Sequence, residues 1–292
     1  CEEEQDKVKA RLIPIAFSAL GTDYTVGLTR AMELFFKTYV EACLQKPRSY
    51  NILGCCADEY LIENDIKELQ RTLSEMFDYH CRMSYPLNTS LREIRFAAEA
   101  EFNIVLRQEA LPAAIWMKER FNIPYVFSDC YGIQEMKKLL KEVSEVIRVS
   151  PRCAQLDSVN ALSAHDKEKH VLILGNQNSA NGLLRCLTEE LEMHNVYAMA
   201  FSTTTHNKSI QPYKEEILEK QMRDTGPDIL IGNSILFDFP GHAPSIDIPL
   251  LKPVGIAMKT PRPHYPLRGI SGYNQLTLML EGKGKGNVLF GE

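Results

Sequence analysis

Short β-forming runs alternate with helix-forming segments along almost the whole chain, and this alternation limits the possible fold more than any other feature. Apolar runs at 12–17 (LIPIAF), 50–54 (YNILG), 79–84 (YHCRMS), 102–106 (FNIVL) and 124–128 (PYVFS) are each followed by a stretch with apolar residues at helical spacing. Those helical stretches fall at 23–45, 62–77, 89–98, 110–121 and 132–147. Alternation of this kind builds a parallel sheet with right-handed crossovers. Residues 148–169, with Pro, Ser, Asn and mixed charge, interrupt the rhythm and read as a crossover or domain boundary. The pattern then restarts with HVLILG (170–175), a helix at 179–193, NVYAMAF (195–201), a helix at 210–224, DILIG (228–232), PVGIAM (253–258) and a last helix at 270–281. The expected fold is α/β, with two Rossmann-like, doubly wound parallel-sheet domains facing a cleft. Residues 1–150 form the first and residues 151–292 the second.

Length and charge are consistent with that expectation. A chain of 292 residues with 45% hydrophobic content has enough apolar surface for two cores. It contains no apolar run long enough to span a bilayer and no signal-peptide pattern, so a cytoplasmic protein without a membrane partner is expected. A net charge of −5 argues against nucleic acid as a partner. The eight cysteines show no paired CxxC spacing and, in a chain of this size, read as reduced thiols. The opening residue is Cys1 rather than Met, which reads as the start of a piece of something longer.

In an open α/β sheet, ligands bind beyond the carboxyl ends of the strands. Cys55 and Cys56 lie at one such turn, in NILGCCADEY, and Cys130 lies at another, in SDCYGI. Thiolates are favoured at helix N-termini and are soft metal ligands, so these three residues are metal-ligand candidates; the alternative is that they are small buried hydrophobes. Arg107, after FNIVL, either holds an anion in the cleft or makes an ordinary ion pair. HVLILGNQNSANGLL lacks the GxGxxG spacing of dinucleotide sites, but its turn and helix N-terminus remain open to another anion. His206 in STTTHN follows a strand and is either a cofactor contact or a solvated loop residue.

The order of these motifs resembles the nitrogenase component 1-type oxidoreductases. The resemblance is carried by NILGCCADEYLIENDIKELQRTL, AEAEFNIVL and AAIWMKERFNIPYVFSDCYGIQEMKKLL in the first half, and by HVLILGNQNSANGLL, GPDILIGNS and RGISGYNQLTLML in the second. It covers the chain from residue 12 onward and matches the family's second and third domains. It implies a metal-cluster or tetrapyrrole-handling protein with an iron-sulfur cofactor in the interdomain cleft. It also implies a nitrogenase-like partner subunit and an ATP-dependent iron protein as electron donor.

At two positions the sequence departs from the family pattern. Where catalytic nitrogenase subunits carry a cysteine on the cofactor's terminal iron, the ungapped match places Arg107. Where they carry a histidine on molybdenum, the match falls on Arg262, and His264 is the nearest candidate. The resemblance therefore implies cofactor assembly, or reduction of a substrate other than dinitrogen, with Cys55, Cys56, Arg107, Cys130, His206 and His264 as cofactor contacts. The alternative is a non-redox two-domain module that closes on a small anionic ligand.

Overall fold

The strand β1 (Ser49–Cys55) is buried along its whole length, as a strand covered on both faces must be. In the computed structural model, which describes residues 2–9, 12–14, 24–152, 162–201, 207–232, 244–252 and 264–283, it is central to a four-stranded sheet. That sheet also contains β2 (His80–Pro86), β3 (Phe102–Val105) and β4 (Tyr125–Phe127), in the order β2-β1-β3-β4. A second sheet has the order β7-β6-β5-β8-β9, from β5 (His170–Gly175), β6 (Asn195–Ala200), β7 (Ile210–Pro212), β8 (Ile229–Gly232) and β9 (Ile246–Pro249). Every strand pairing in both sheets is parallel. The α/β class with two Rossmann-like sheets is therefore the observed architecture.

The described helices are α1 (Glu2–Gln5), α2 (Tyr24–Tyr39), α3 (Ile62–Phe77), α4 (Leu91–Arg95), α5 (Leu111–Phe121), α6 (Ile133–Ile147), α7 (Ala164–Lys167), α8 (Gln177–Arg185), α9 (Glu215–Thr225) and α10 (Gly269–Leu280). They cover both faces of both sheets. On the first sheet, one core joins Ile52, Ile104, Leu69 and Met136, while the other joins Leu53, Val105, Phe36 and Met117. Alternate residues of β1 enter opposite cores, as the two-residue strand period requires. The second sheet is covered on one face by Leu183, Leu187 and Leu276 and on the other by Leu218 and Met222. The closing helix α10 packs on α3 and α6 as well as on β9, so this helix ties the two sheets together.

Several elements differ from the sequence expectation. Residues 12–14 of the LIPIAF run form no strand, and 15–17 lie outside the described residues, as does PVGIAM at 253–258. The outer positions of the second sheet belong instead to β7 and β9, three and four residues long. Each ends in a proline, which has no N–H for a further ladder bond. The helix expected over 23–45 ends at Tyr39. The one expected over 89–98 is split: α4 has a Ser90/Glu93 capping box and is followed by a 3₁₀ turn at Ala97–Glu99.

The connections of the first sheet reverse direction between β1 and β3, and those of the second between β5 and β8. These reversals are the switch points at which doubly wound sheets place their sites. At the first, β1 and the chain after β3 run so close that a Cβ on Gly54 would lie 2.9 Å from the Arg107 nitrogen. Gly54 also has φ +88°, which side chains rarely tolerate.

Candidate functional site: a buried ion-pair junction

The carboxyl ends of the two sheets meet, and charged side chains of the chain itself fill the space between them. After Cys55 the chain turns for six residues before α3 begins at Ile62, carrying Asp58 and Glu59 past the sheet edge. Beyond β3, the fully buried Arg107 donates from Nη1 to both Asp58 oxygens, at 2.8 and 2.9 Å. Its Nε and Nη2 reach Glu109 at 3.3 and 2.9 Å.

The second sheet supplies neutral donors. Asn176 caps α8, its Oδ1 accepting from the Ser179 N–H at 3.0 Å. Asn176 Nδ2 and Ser179 Oγ both donate to Glu59 Oε1, at 2.7 and 3.2 Å. Nearby, Asn178 Nδ2 donates to Glu109 Oε2 at 3.1 Å, and its Oδ1 accepts the Gln108 N–H.

A second buried guanidinium enters from the start of α10. Arg268 Nη1 donates to Glu59 Oε2 at 2.6 Å and to Asp65 Oδ2 at 2.7 Å, and its Nε donates to the Asp129 carbonyl at 2.9 Å. The guanidinium stacks over the Tyr131 ring at 4.6 Å. Asp65 Oδ1 also accepts the backbone N–H groups of Leu267 and Arg268, which fixes the entry of α10. Arg268 Nη2 is buried with no partner among the described residues.

Beside this cluster, Arg185 pairs with Asp129 at 2.8 Å. A π-turn at Cys186–Glu190 presents Glu190 to the N-terminus of α6, where it accepts from the Ile133 N–H at 2.7 Å. Gly132 makes room for it, since a Cβ there would fall 2.1 Å from Glu190 Oε1.

In the main cluster four carboxylates surround two guanidiniums. Burial works to raise Glu59, but Arg268, Arg107 and hydrogen bonds from Arg268 and Asn176 outweigh it and hold the carboxyl below its ordinary value. For Asp58 and Asp65 burial prevails over the pull of Arg107 and Arg268 respectively, and both are raised. Glu59 is thus the firmly ionised hub of the junction.

The structure does not assemble the three cysteines into a ligand set. Cys55 lies in the core beneath α3 and α6 and Cys56 in the opposite core, because neighbouring strand residues face opposite ways. Cys130 is fully buried, its Sγ 3.5 Å from Ser128 Oγ. Burial pushes the Cys56 and Cys130 thiols up to about 12 and Cys55 well above its ordinary value. The expectation of cleft-facing thiolates is corrected accordingly. The chain passes through both cysteines before it turns outward, and the residues reaching the edge are Asp58 and Glu59. Among the described residues no three or more His, Cys, Asp or Glu side chains are placed to hold a metal ion, so these cysteines do not fit an iron-sulfur cluster.

Of the remaining expected residues, Arg107 lies in the junction and binds carboxylates of its own chain. His264 is exposed and lines a cavity of ≈ 240 Å³ together with Glu59, Asn64, Lys67 and Lys252. His206 lies outside the described residues. Glu59, Glu109, Asn176, Asn178 and Arg268 do not stand out in the sequence. The signal available for them is position: each lies within four residues of a strand's carboxyl end or immediately before a helix.

No described helix is long and apolar enough to cross a membrane. Residues 1–274 match the family of nitrogenase component 1 type oxidoreductases. The chain is 26% identical over 197 residues to a subunit of the light-independent protochlorophyllide reductase of Methylocella silvestris, covering 62% of this chain and 38% of that protein. Against the corresponding protein of Nostoc punctiforme the identity is 21% over 257 residues, covering 78% and 50%. The chain thus spans half or less of these two relatives. Among solved structures, nitrogenase Cp1 at pH 5 superposes with a TM-score of 0.62 at 14% identity, covering 96% of this chain and 66% of that one. That likeness is one of fold. With the family match extending over nearly its whole length, the chain belongs to the nitrogenase component 1 type oxidoreductases.

Proposed function

We propose that this chain is the part of a nitrogenase-like reductase subunit that carries two Rossmann-like domains, divided near residue 150, and that the subunit acts on a substrate other than dinitrogen. It works beside a nitrogenase-like partner subunit and receives electrons from an ATP-dependent iron protein. Its relatives among the light-independent protochlorophyllide reductases support a tetrapyrrole as the substrate class.

The observation that carries the exclusion of dinitrogen is the enclosure of Arg107. At the position where the family resemblance expects a cysteine on a catalytic cofactor, the chain has a buried guanidinium held by Asp58 and Glu109. An arginine has no lone pair to offer a metal at any accessible pH. Cys55, Cys56 and Cys130 do not replace the missing thiolate, so an iron-sulfur cofactor of the complex is held by other groups. The reading as a module for a small anionic ligand has less support, because the N-terminus of α8 already faces the carboxylates of Glu59 and Glu109.

The test uses the full-length protein with its partner subunit and an ATP-dependent iron protein, assayed anaerobically with MgATP and dithionite. The expected result is ATP-dependent reduction of protochlorophyllide or a related tetrapyrrole, with no reduction of dinitrogen. Dinitrogen reduction, or no ATP-dependent electron flow to any tetrapyrrole, would reject the assignment.

A further inference from the structure

In a doubly wound sheet the helix after the first strand aims its N-terminal N–H groups and positive dipole end at a bound anion. In the second sheet that helix is α8, nine residues long, beginning directly after β5. The groups gathered at its start are Asn176, Asn178 and Ser179, all buried. Their donors are met by carboxylates from the other sheet. Glu59 takes Asn176 and Ser179, and Glu109 takes Asn178. Both carboxylates are almost fully buried, at 2% and 4% exposure. Both are also clamped by guanidiniums, Glu59 by Arg268 and Glu109 by Arg107.

We propose that Glu59 and Glu109 act as built-in anionic ligands: they occupy the anion subsite at the switch point of the second sheet and latch the two sheets together, so that no exogenous anion enters there.

The latch accounts for three observations together. The first sheet supplies acids at the point where the second supplies only neutral donors. Arg268 and Asp65, 203 residues apart in sequence, pair at the same point. The antiparallel bridge between Glu59 and Leu251 joins the two sheets' loops beside Glu59. A subsite held by the protein's own carboxylates also places substrate chemistry outside this junction.

Chemical rescue tests the proposal on the whole chain. Glu59→Ala removes the carboxylate and leaves Asn176, Ser179 and Arg268 facing a void of its size. Urea unfolding is followed with and without about 50–100 mM formate, on the order of a weak anion site, with chloride at equal ionic strength as control. The expected result is a lower urea midpoint for Glu59→Ala that formate partly restores, while the parent chain and Glu59→Ala combined with Asn176→Ala show no formate-specific gain. Equal formate effects on all three proteins would overturn the proposal. If Glu59→Ala does not fold, Glu59→Gln keeps the shape without the charge. The latch then predicts faster hydrogen exchange at Ser179, Leu267 and Arg268 than in the parent, and unchanged exchange would overturn it.

Discussion

The turns that leave β1 and β5 occupy equivalent places in their sheets but solve the same problem in opposite ways. After β5, Asn176 caps α8 at once with its own side chain, and the buried donors at the helix start meet carboxylates that come from the other sheet. After β1, α3 has no side-chain cap, and the six intervening residues carry Asp58 and Glu59 across to the other sheet. One turn is a local cap and the other a long-range one. The difference shows that a strand-to-helix turn rich in suggestive side chains need not hold an external ligand, since its charges can be matched within the fold.

The sharpest way to break this comparison is to remove the cation common to Glu59 and Asp65. Arg268→Met keeps much of the side-chain length but leaves two buried carboxylates without their partner. Loss of one partner from a buried, hydrogen-bonded charge pair costs about 3–5 kcal/mol. Urea denaturation should show a loss of that size. Arg107→Met should cost less, because only one of its two close partners, Glu109, is buried, while Asp58 is 38% exposed and retains water; both partners of Arg268 are buried. Equal losses at the two positions would mean that the junction has no buried hub.

A second test addresses how closely α8 approaches the loop after β4. A Cβ on Gly182 would lie 2.6 Å from Tyr131 Cδ2 and 2.7 Å from Asp129 Cγ. Gly182→Ala must therefore push apart the Arg185–Asp129 pair and the ring beneath Arg268. Overpacking of this kind costs about 1–3 kcal/mol. At the exposed Gly226, with nothing within 4 Å, the same change should show only the strain of φ +51°.

The third test concerns the cysteines. Their thiols ionise in the unfolded chain near about 8.5 but in the folded chain only at about 12 for Cys56 and Cys130. The folded state holds its protons longer, so stability is complete below about 8.5 and declines as pH rises toward 12. By about pH 9.5 each such thiol should have cost about 1.4 kcal/mol, seen as a falling urea midpoint. Cys56→Ala should make that decline shallower. A pH-independent midpoint would show the thiols to be exposed and free to act as ligands.

Much of the fold was legible because the central strands are continuous apolar runs, HVLILG and DILIG among them, whose burial leaves few alternatives. The edge strands β7 and β9 were not, because three or four residues ending in proline give too little pattern to separate from loop. At the site, Arg107 stood out by following FNIVL, and its place at the carboxyl edge is what the fold rule gives. Its partners were not legible, since Asp58 and Glu109 look like ordinary surface acids until Gly54 brings the two strand ends together. Arg268 was harder still. It precedes a helix in PLRGISGY, and its partner Glu59 lies 209 residues away. The cysteines misled because residue type indicates chemistry while the strand period decides direction.

The smallest effect belongs to an ion pair that lacks the junction's burial. Arg71 Nη1 meets Glu75 Oε2 at 2.7 Å on the outer face of α3, as short as the Arg268–Asp65 contact, but both side chains are about half-exposed. Water stabilises either partner once the other is gone, and holding two long side chains in one arrangement costs entropy, so such pairs contribute about 0.3–0.5 kcal/mol. Arg71 also keeps its bonds to the buried Glu68, which limits any rearrangement. Glu75→Ala should therefore change stability by no more than about 0.5 kcal/mol, and less in about 0.5 M salt, where exposed charges are screened. Alanine's higher helix propensity works against the small loss and reduces it further. A loss near that of Arg268→Met would mean that contact distance rather than burial sets the strength of these pairs, and the contrast between junction and surface would fall with it.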